Sequence, residues 1–551
     1  MSPPKHVAIL GGGITGLTAA FHLARRLPKT SRITLVEKSN RLGGWIKSAP
    51  ITGSKVCLEA GPRAFNTGTD GIAGVIELVN LLNLSSYLRL VPKDSAASKL
   101  RYIYLDHAHG ISLIPPKTFL FPFFSRFRWS VIPLISELFR GPNKPKGVED
   151  ESIDAVLTRR FGSEVARVFA SSLVHGIFAA DSRELSFQSA FPGLKDAEKL
   201  GDGSILKGLP KALAATRGVR AMRLLAMTLE GEGYEMGDLD KVIKQTSSFS
   251  FDGGLEMLVR TLEDRVRNEE NVEILMGVGA SNMEKTTKDS EFEIALSNGS
   301  MLTPSHVIST LPLPALDAIT LSTNSIKSSP LPNLTANPSA TVQVLNLVFS
   351  PSQTPLHLPG FGFLIPRPKD GYPTSPIFIR EEDNKPILQN ILGVVFDSYR
   401  DPDFDYKKDP TVITLMMGGS FPLYQPPGFD SEAHPSGTIV SSTLPASSLQ
   451  IYLDSLAHYL NANIPPPISH ALHTHYDCIP TYRPGHEARM KELGEARREG
   501  VWGDRLKITG TVMHPSLVSC IRSAREAAIE VASGKDLSTP TGEQVGRADA
   551  Q

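Results

Sequence analysis

The chain has only three cysteines in 551 residues, and Cys57, Cys478 and Cys520 stand far apart. They form no CxxC pair. That argues against a zinc ribbon or a disulfide framework and fits a reducing compartment; no metal site is expected. An excess of one charge is also missing, because 57 Lys and Arg balance 57 Asp and Glu. Without a basic surplus to neutralise phosphates, nucleic acid is not expected as a partner. No cleavable leader is expected either: MSPPKHVAIL runs straight into a strand-like segment, with no h-region and no Arg-rich presequence. Any organelle address is therefore expected to be internal. Long hydrophobic runs are lacking as well. Ser328 to Pro366 carries no charge, but Pro330, Pro332, Pro338, Pro351, Pro355 and Pro359 interrupt it. Its longest proline-free run, Ser339 to Ser350, is shorter than the ~20 residues a helix needs to span a bilayer. TVQVLNLVF inside that run reads as a buried strand.

What is present is an ordinary globular composition, 41% hydrophobic and 21% charged, at a length that suggests two or three domains. HVAIL is a short apolar strand, GLTAAFHLARRL has helical spacing, and RITLVEK is a second strand ending in an acid. Between the first strand and the helix, Gly11, Gly13 and Gly16 fit G-x-G-x-x-G, with Gly12, Ile14 and Thr15 filling the turn. Such a turn brings backbone close to a pyrophosphate at a positive helix N-terminus. Glu37 follows about 20 residues on, where an acid accepts hydrogen bonds from ribose hydroxyls. This much leaves NAD and FAD open. A second cluster, Arg41 with Gly43, Gly44 and Trp45, comes next. On residue chemistry alone it is also a good surface turn.

Further along, NVEILMG and SHVISTLP read as strands of the same sheet, preceded by the helix GGLEMLVRTLEDRVR. RLKITG and SCIRSAREAAIEVA supply a last strand and helix. The nucleotide domain is therefore expected in pieces, 1–90, 250–325 and 476–533. A substrate domain is expected from 91–114 and 326–475, where TVQVLNLVF, GFGFLIP, ILGVVFDS and VITLMMGG alternate with Pro/Gly turns as in a largely antiparallel sheet. Residues 115–249 read as a mostly helical insert, and 534–551 as a disordered tail.

The two glycine clusters in this arrangement resemble those of the glycine-doublet flavoproteins, whose fold implies FAD. EAGPRAF, HGIFAADSRELSFQSAFP, GGLEML, HVISTLP, GFGFLIP, ILGVVFDS and CIPTYRPGH resemble, in order from about residue 6 to 530, segments of the protoporphyrinogen oxidase family. The resemblance implies an α/β fold. Its FAD-binding domain is Rossmann-like, of the glutathione-reductase/amine-oxidase type, and is joined to a largely antiparallel α+β substrate domain and a helical membrane-associated insert. It implies oxidation of protoporphyrinogen IX to protoporphyrin IX in haem biosynthesis. Hydride passes from the macrocycle to flavin N5 in three successive two-electron steps, O2 is the acceptor and hydrogen peroxide the by-product. No Ser/His/Asp or paired-carboxylate constellation stands out, so the flavin is expected to perform the chemistry and no catalytic side chain is named.

The resemblance further implies cofactor contacts at Gly11, Gly12, Gly13, Ile14, Thr15, Gly16, Glu37, Lys38, Arg41, Gly43, Gly44, Trp45, Gly61, Pro62, Arg63, Ala64, Ala280, Thr509, Gly510, Ser516, Leu517 and Val518. For the substrate it implies Arg101 against a propionate, Leu364, Val395 and Met416 around the pyrrole rings, and Gly176 facing the macrocycle. By residue type alone Arg101 reads as a solvated surface arginine, and the three apolar residues read equally as core. The chain departs from the family at ITGTVMHPSLVSC, where Pro515 or Ser516 replaces a glycine and Ser519 an aspartate. That puts the contacts of Ser516, Leu517 and Val518 in doubt. His175 stands where many members carry arginine. Phe119 to Gly141, rich in Phe and interrupted by Arg126, Arg128 and Arg140, suits a segment lying in a membrane interface or a buried domain contact. The family implies a monotopic attachment to the mitochondrial inner membrane; a homodimer and the next haem-pathway enzyme stay open as partners. Another amine oxidase or polyene desaturase, and a non-catalytic flavin- or porphyrin-binding relative, remain as alternatives.

Overall fold

The apolar run at His6–Leu10 forms a strand whose side chains are buried on both faces, as expected for a strand inside a parallel sheet. In the computed structural model, which describes residues 3–52, 54–69, 71–106, 110–114, 128–215, 244–285, 287–321, 330–426, 434 and 437–534, that sheet has five strands. Their order is Val272–Met276, Arg32–Glu37, His6–Leu10, His306–Ser309 and Leu506–Ile508, and every pair is parallel. All four strands expected to join the first belong to it. Helices Ile14–Arg26 and Leu517–Ser533 pack on each other beside it. A small antiparallel sheet, Ala280–Glu284, Glu293–Leu296 and Met301–Leu302, shares one core with it through Val36, Met283, Phe292, Val307, Trp502 and Leu506.

A second, eight-stranded sheet is antiparallel except where Gly362–Leu364 runs parallel to Arg101–Tyr104. It contains the four β-rich runs of the second insert. Its centre is Ser339–Phe349, Thr411–Gly418, Ile391–Val395 and Gly362–Leu364, in that order. One face carries a core of Leu345, Phe363, Val394, Leu415 and Met417, capped by helix Ala446–Leu460 through Tyr452 and Leu456. The insert expected at 115–249 is mostly helical over residues 128–215, with its own core of Val156, Phe161, Val174, Phe178 and Leu185.

By contacts the chain forms two compact units. One comprises the described residues within Met1–Gly44, Leu258–Thr335 and Arg489–Gln551, the other those within Trp45–Met257 and Ala336–Ala488. These boundaries differ from the expected domains. Residues 45–90 and 250–257 group with the second unit, because Phe65–Asn66 and Leu88–Pro92 both pair with Thr246–Phe251. Residues 476–488 follow, because Ser469–Pro480 is a strand of the large sheet. The helical insert belongs to this second unit. The expected tail lies, apart from Gly534, outside the described residues, as do 216–243 of the insert and 119–127 of the aromatic segment.

Candidate functional site

In the first unit the turn after the opening strand is shaped by backbone. Gly11 has φ 102°, and a Cβ on Gly16 would lie 1.9 Å from the Gly11 carbonyl oxygen, so helix and strand touch there with no room for a side chain. Helix Ile14–Arg26 starts at Gly13 without a side-chain cap, leaving first-turn N–H groups open to an anion. Gly12 N donates to Glu37 Oε2 at 2.7 Å, and Ser39 N and Oγ donate to Oε1. The second cluster lies directly on the first. Gly43 N donates to the Gly12 carbonyl at 2.9 Å, and a Cβ on Gly44 would lie 3.3 Å from Gly13 Cα. Both doublet glycines have positive φ. Arg41 turns back to donate to the Gly44 carbonyl, bracing this turn.

The segment leading to Ala280 is tied to the same acid: Val278 N donates to the Glu37 carbonyl and Gly277 N to that of Ser39. Lys38 beside it is exposed. Gly510, φ 99°, faces Thr15, with a Cβ placed 3.6 Å from Thr15 Oγ1. Thr15 also interacts with the buried Cys520 thiol, which burial pushes up to about 11. The start of the Leu517–Ser533 helix therefore lies beside that of Ile14–Arg26. Ser516 is the N-cap of this later helix: its Oγ accepts from Ser519 N at 3.1 Å. Leu517 and Val518 are its first turn. The departure at Pro515–Ser516 is thus a conventional helix start.

In the second unit, Gly61 lies so close to Trp45 that a Cβ would be 2.7 Å from the Trp45 carbonyl oxygen. Two residues on, past Pro62 and just before Ala64, Arg63 is locked in place. Its Nε donates to Asp397 Oδ1 at 3.1 Å, and its Nη1 to the Gly61 carbonyl and, at 3.5 Å, to Met416 Sδ. Asp397 is buried. It also accepts from Thr414 Oγ1 at 2.6 Å and pairs with Arg400, whose guanidinium burial pushes below its ordinary value. Glu59, buried nearby, accepts from Ser48 Oγ and Leu255 N; burial raises its carboxyl to about 7. Sequence reasoning passed over Asp397, since a single acid after a strand carries no spacing signal.

The expected substrate residues converge on one sheet face. Leu364 pairs with Gly393 and Gly393 with Met416, while Val395 pairs with Gly362 and Thr414. Side chains alternate along a strand, so Leu364, Val395 and Met416 share the face opposite the Phe363–Val394–Leu415 core. All three are partly exposed. Leu364 also pairs with Ile103, which puts Arg101 at the edge of the same face. Arg101 is exposed, with its guanidinium 5.9 Å from the centre of the Phe361 ring. Gly176, on helix Ser171–Phe178, covers Leu364: a Cβ there would come within 2.7 Å of Leu364 Cδ2. Gly393 was missed although it carried a signal, being an isolated glycine inside a strand pattern. A Cβ on it would also strike Leu364, at 2.9 Å.

A family model described as flavin containing amine oxidoreductase matches residues 14–350. The protoporphyrinogen oxidase of Homo sapiens is 31% identical over 539 residues, covering 96% of this chain and 98% of that protein. That of Schizosaccharomyces pombe is 29% identical, with the same coverage. This chain belongs to the protoporphyrinogen oxidase family. Among solved structures, a putative protoporphyrinogen oxidase from Exiguobacterium sp. 255-15 has a TM-score of 0.67 at 20% identity over 96% of this chain and 99% of that one. The cyclohexylamine oxidase of Brevibacterium oxydans has 0.57 at 14%, over 97% and 99%. These two show the same fold. The protein is accordingly an FAD-dependent oxidoreductase.

The chain's own atoms fit that cofactor. In the first unit the glycine turn and an uncapped helix start suit a pyrophosphate, and Thr509 Oγ1 is buried with no partner among the described residues. In the second, Arg63 Nη2 is a buried donor with no partner among the described residues, although its Nε and Nη1 are engaged. A buried cation with a spare N–H fits an electron-rich, hydrogen-bond-accepting group.

Proposed function

We propose that the protein oxidises protoporphyrinogen to protoporphyrin, with FAD accepting hydride from the macrocycle and O2 returning the flavin to its oxidised state with release of hydrogen peroxide. The observation that carries this reading is the face of Leu364, Val395 and Met416 under Gly176 with Arg101 at its edge. A largely apolar tetrapyrrole macrocycle needs an apolar slot and a cation for its carboxylates. Arg101 lies three strand spacings, roughly 14 Å, from the Met416 strand. In this reading Arg101 holds a propionate, and Leu364, Val395 and Met416 exclude water and fix the ring plane. Gly176 allows the ring a close approach. The Gly11–Gly16 turn, Glu37, Lys38, the Arg41–Trp45 doublet turn, Gly61–Ala64, Ala280, Thr509, Gly510 and the Ser516–Val518 helix start hold the cofactor. Arg63, fixed by Asp397, would supply a hydrogen-bond donor to it.

The helical insert supports attachment to a membrane surface. Within the described part of the aromatic segment, helix Arg128–Glu137 and the residues after it expose Ile132, Ile135 and Phe139, the last at 84%. No helix among the described residues is long and apolar enough to cross a membrane. With the family resemblance, this favours a monotopic protein of the mitochondrial inner membrane. The decisive assay uses purified, flavin-loaded protein and protoporphyrinogen. Porphyrin fluorescence and peroxide should rise together, with coproporphyrinogen, amines and polyenes run as competitors. Faster turnover of a competitor would overturn the assignment.

A further inference from the structure

Helix Ser171–Phe178 meets the substrate face through one buried histidine that the proposed chemistry does not use. His175 Nδ1 is 2.7 Å from the Ile365 carbonyl oxygen, and its Nε2 is 2.8 Å from Tyr372 Oη. A carbonyl only accepts, so Nδ1 carries the proton and Nε2 is the acceptor for the Tyr372 hydroxyl. Burial supports this neutral form, holding the imidazole down at about 4. The nearby charges are paired with one another: Arg367 with Asp154 and Asp181, and Arg183 with Asp181.

Two walls depend on this side chain. Its bond to Ile365 ties the helix to strand Gly362–Leu364, which brings Gly176 down on Leu364. Its bond to Tyr372 orients a ring that packs edge-on against Phe421, 4.7 Å between centroids, and below the Arg183 guanidinium. Tyr372 and Met416 are both partly buried residues lying on the Phe421–Leu392–Val344 cluster. The turn after the Met416 strand is pressed onto the end of the same helix, since a Cβ on Gly419 would lie 2.1 Å from the Ala179 carbonyl oxygen.

We propose that His175 is a positioning residue that sets Tyr372 as an uncharged wall at the Met416 end of the face, opposite Arg101, so that the macrocycle binds with its apolar edge towards Tyr372. This rests on the tetrapyrrole reading above. The probes are Tyr372→Phe, His175→Asn, which keeps a donor for Ile365 but no acceptor for Tyr372, and His175→Gln, whose amide oxygen can restore that acceptor. Flavin content and Tm report folding. Loss of one buried hydrogen bond should raise the porphyrinogen KM about fivefold, with a smaller change in kcat, and weaken protoporphyrin binding by a like factor. The His175→Asn/Tyr372→Phe double variant should be no worse than either single, and His175→Gln should lie closer to wild type than His175→Asn. Unchanged KM and binding in both singles, or additive losses in the double, would overturn the proposal. A wild-type protein that binds protoporphyrin but does not oxidise porphyrinogen would sink the proposed function, while the binding comparison still decides the role of His175. One that does neither removes both.

Discussion

The N-terminal glycine turn and the Leu364 face are built in opposite ways. In the turn, Gly11 to Gly16, Glu37 and the Gly43–Gly44 pair lie within one βαβ unit and the loop that follows it, and they touch through backbone atoms and the Glu37 carboxylate. On the face, Arg101, Gly176, Leu364, Val395 and Met416 come from four strands and one helix and meet only because of strand register. At Gly11, Gly12 and Gly16 the turn has no room for an added atom. The face consists of side chains whose individual contributions are modest, flanked on its own side by the buried Arg63–Asp397–Arg400 group, which touches Met416 through Arg63 and Thr414 through Asp397. Change in the turn should therefore act as all or none, and change on the face by degrees.

Gly16→Val is the sharpest test of that contrast. Its Cβ would overlap the Gly11 carbonyl, so the purified variant should lack the visible flavin spectrum; a normal spectrum would show that the turn is looser than its geometry implies. Asp397→Ala comes next, because it leaves two arginines buried without their shared carboxylate. It should lower unfolding free energy by about 3–5 kcal/mol in denaturant titration. A loss below about 1 kcal/mol would mean the face does not depend on this group.

Glu59→Gln tests the same support through pH. The folded carboxyl titrates near 7, above its ordinary value of 4.5, because it is buried. Its contribution is intact below about pH 4.5 and is lost as pH rises from there through about 7, because the unfolded chain ionises its glutamate in that window while the buried carboxyl still keeps its proton. The glutamine variant should flatten the decline in stability across that window, by about 3 kcal/mol in total. An unchanged pH profile would refute the titration. The smallest effect is expected at the exposed edge. Arg101→Ala should raise the porphyrinogen KM about fivefold with the flavin spectrum unaltered, since a solvent-exposed ion pair is worth about 1 kcal/mol. An unchanged KM removes Arg101 from the binding face.

Legibility followed the same divide. The strand–turn–helix–strand–acid order at the N-terminus was readable because each step has a local chemical signature, and three distant strands could be assigned to its sheet from their apolar runs. The β-rich runs of the second insert were readable as strands, but their partners were not, since pairing carries no local mark. Residues 45–90 were expected with the nucleotide domain because they follow it in sequence. Their short strands pair instead with Thr246–Phe251, more than a hundred residues on. Pro515–Ser516 looked like damage to a motif and is the N-cap of a helix. Asp397 and Tyr372 had no signal at all, because what distinguishes them is what they touch.

From the sequence alone came the reagent and the family: a glycine turn must bend where glycines stand, a helix must start after it, and an acid at the end of the next strand must face that turn. Tertiary structure decided which side chains look onto one surface. Strand register put Arg101, Leu364, Val395 and Met416 on the same side. Among the described residues, tertiary structure left Arg63 Nη2 without a partner, and it gave His175 one tautomer through Ile365 and Tyr372. Such outcomes depend on hydrogen-bond partners brought from remote parts of the chain, and no local spacing rule encodes them.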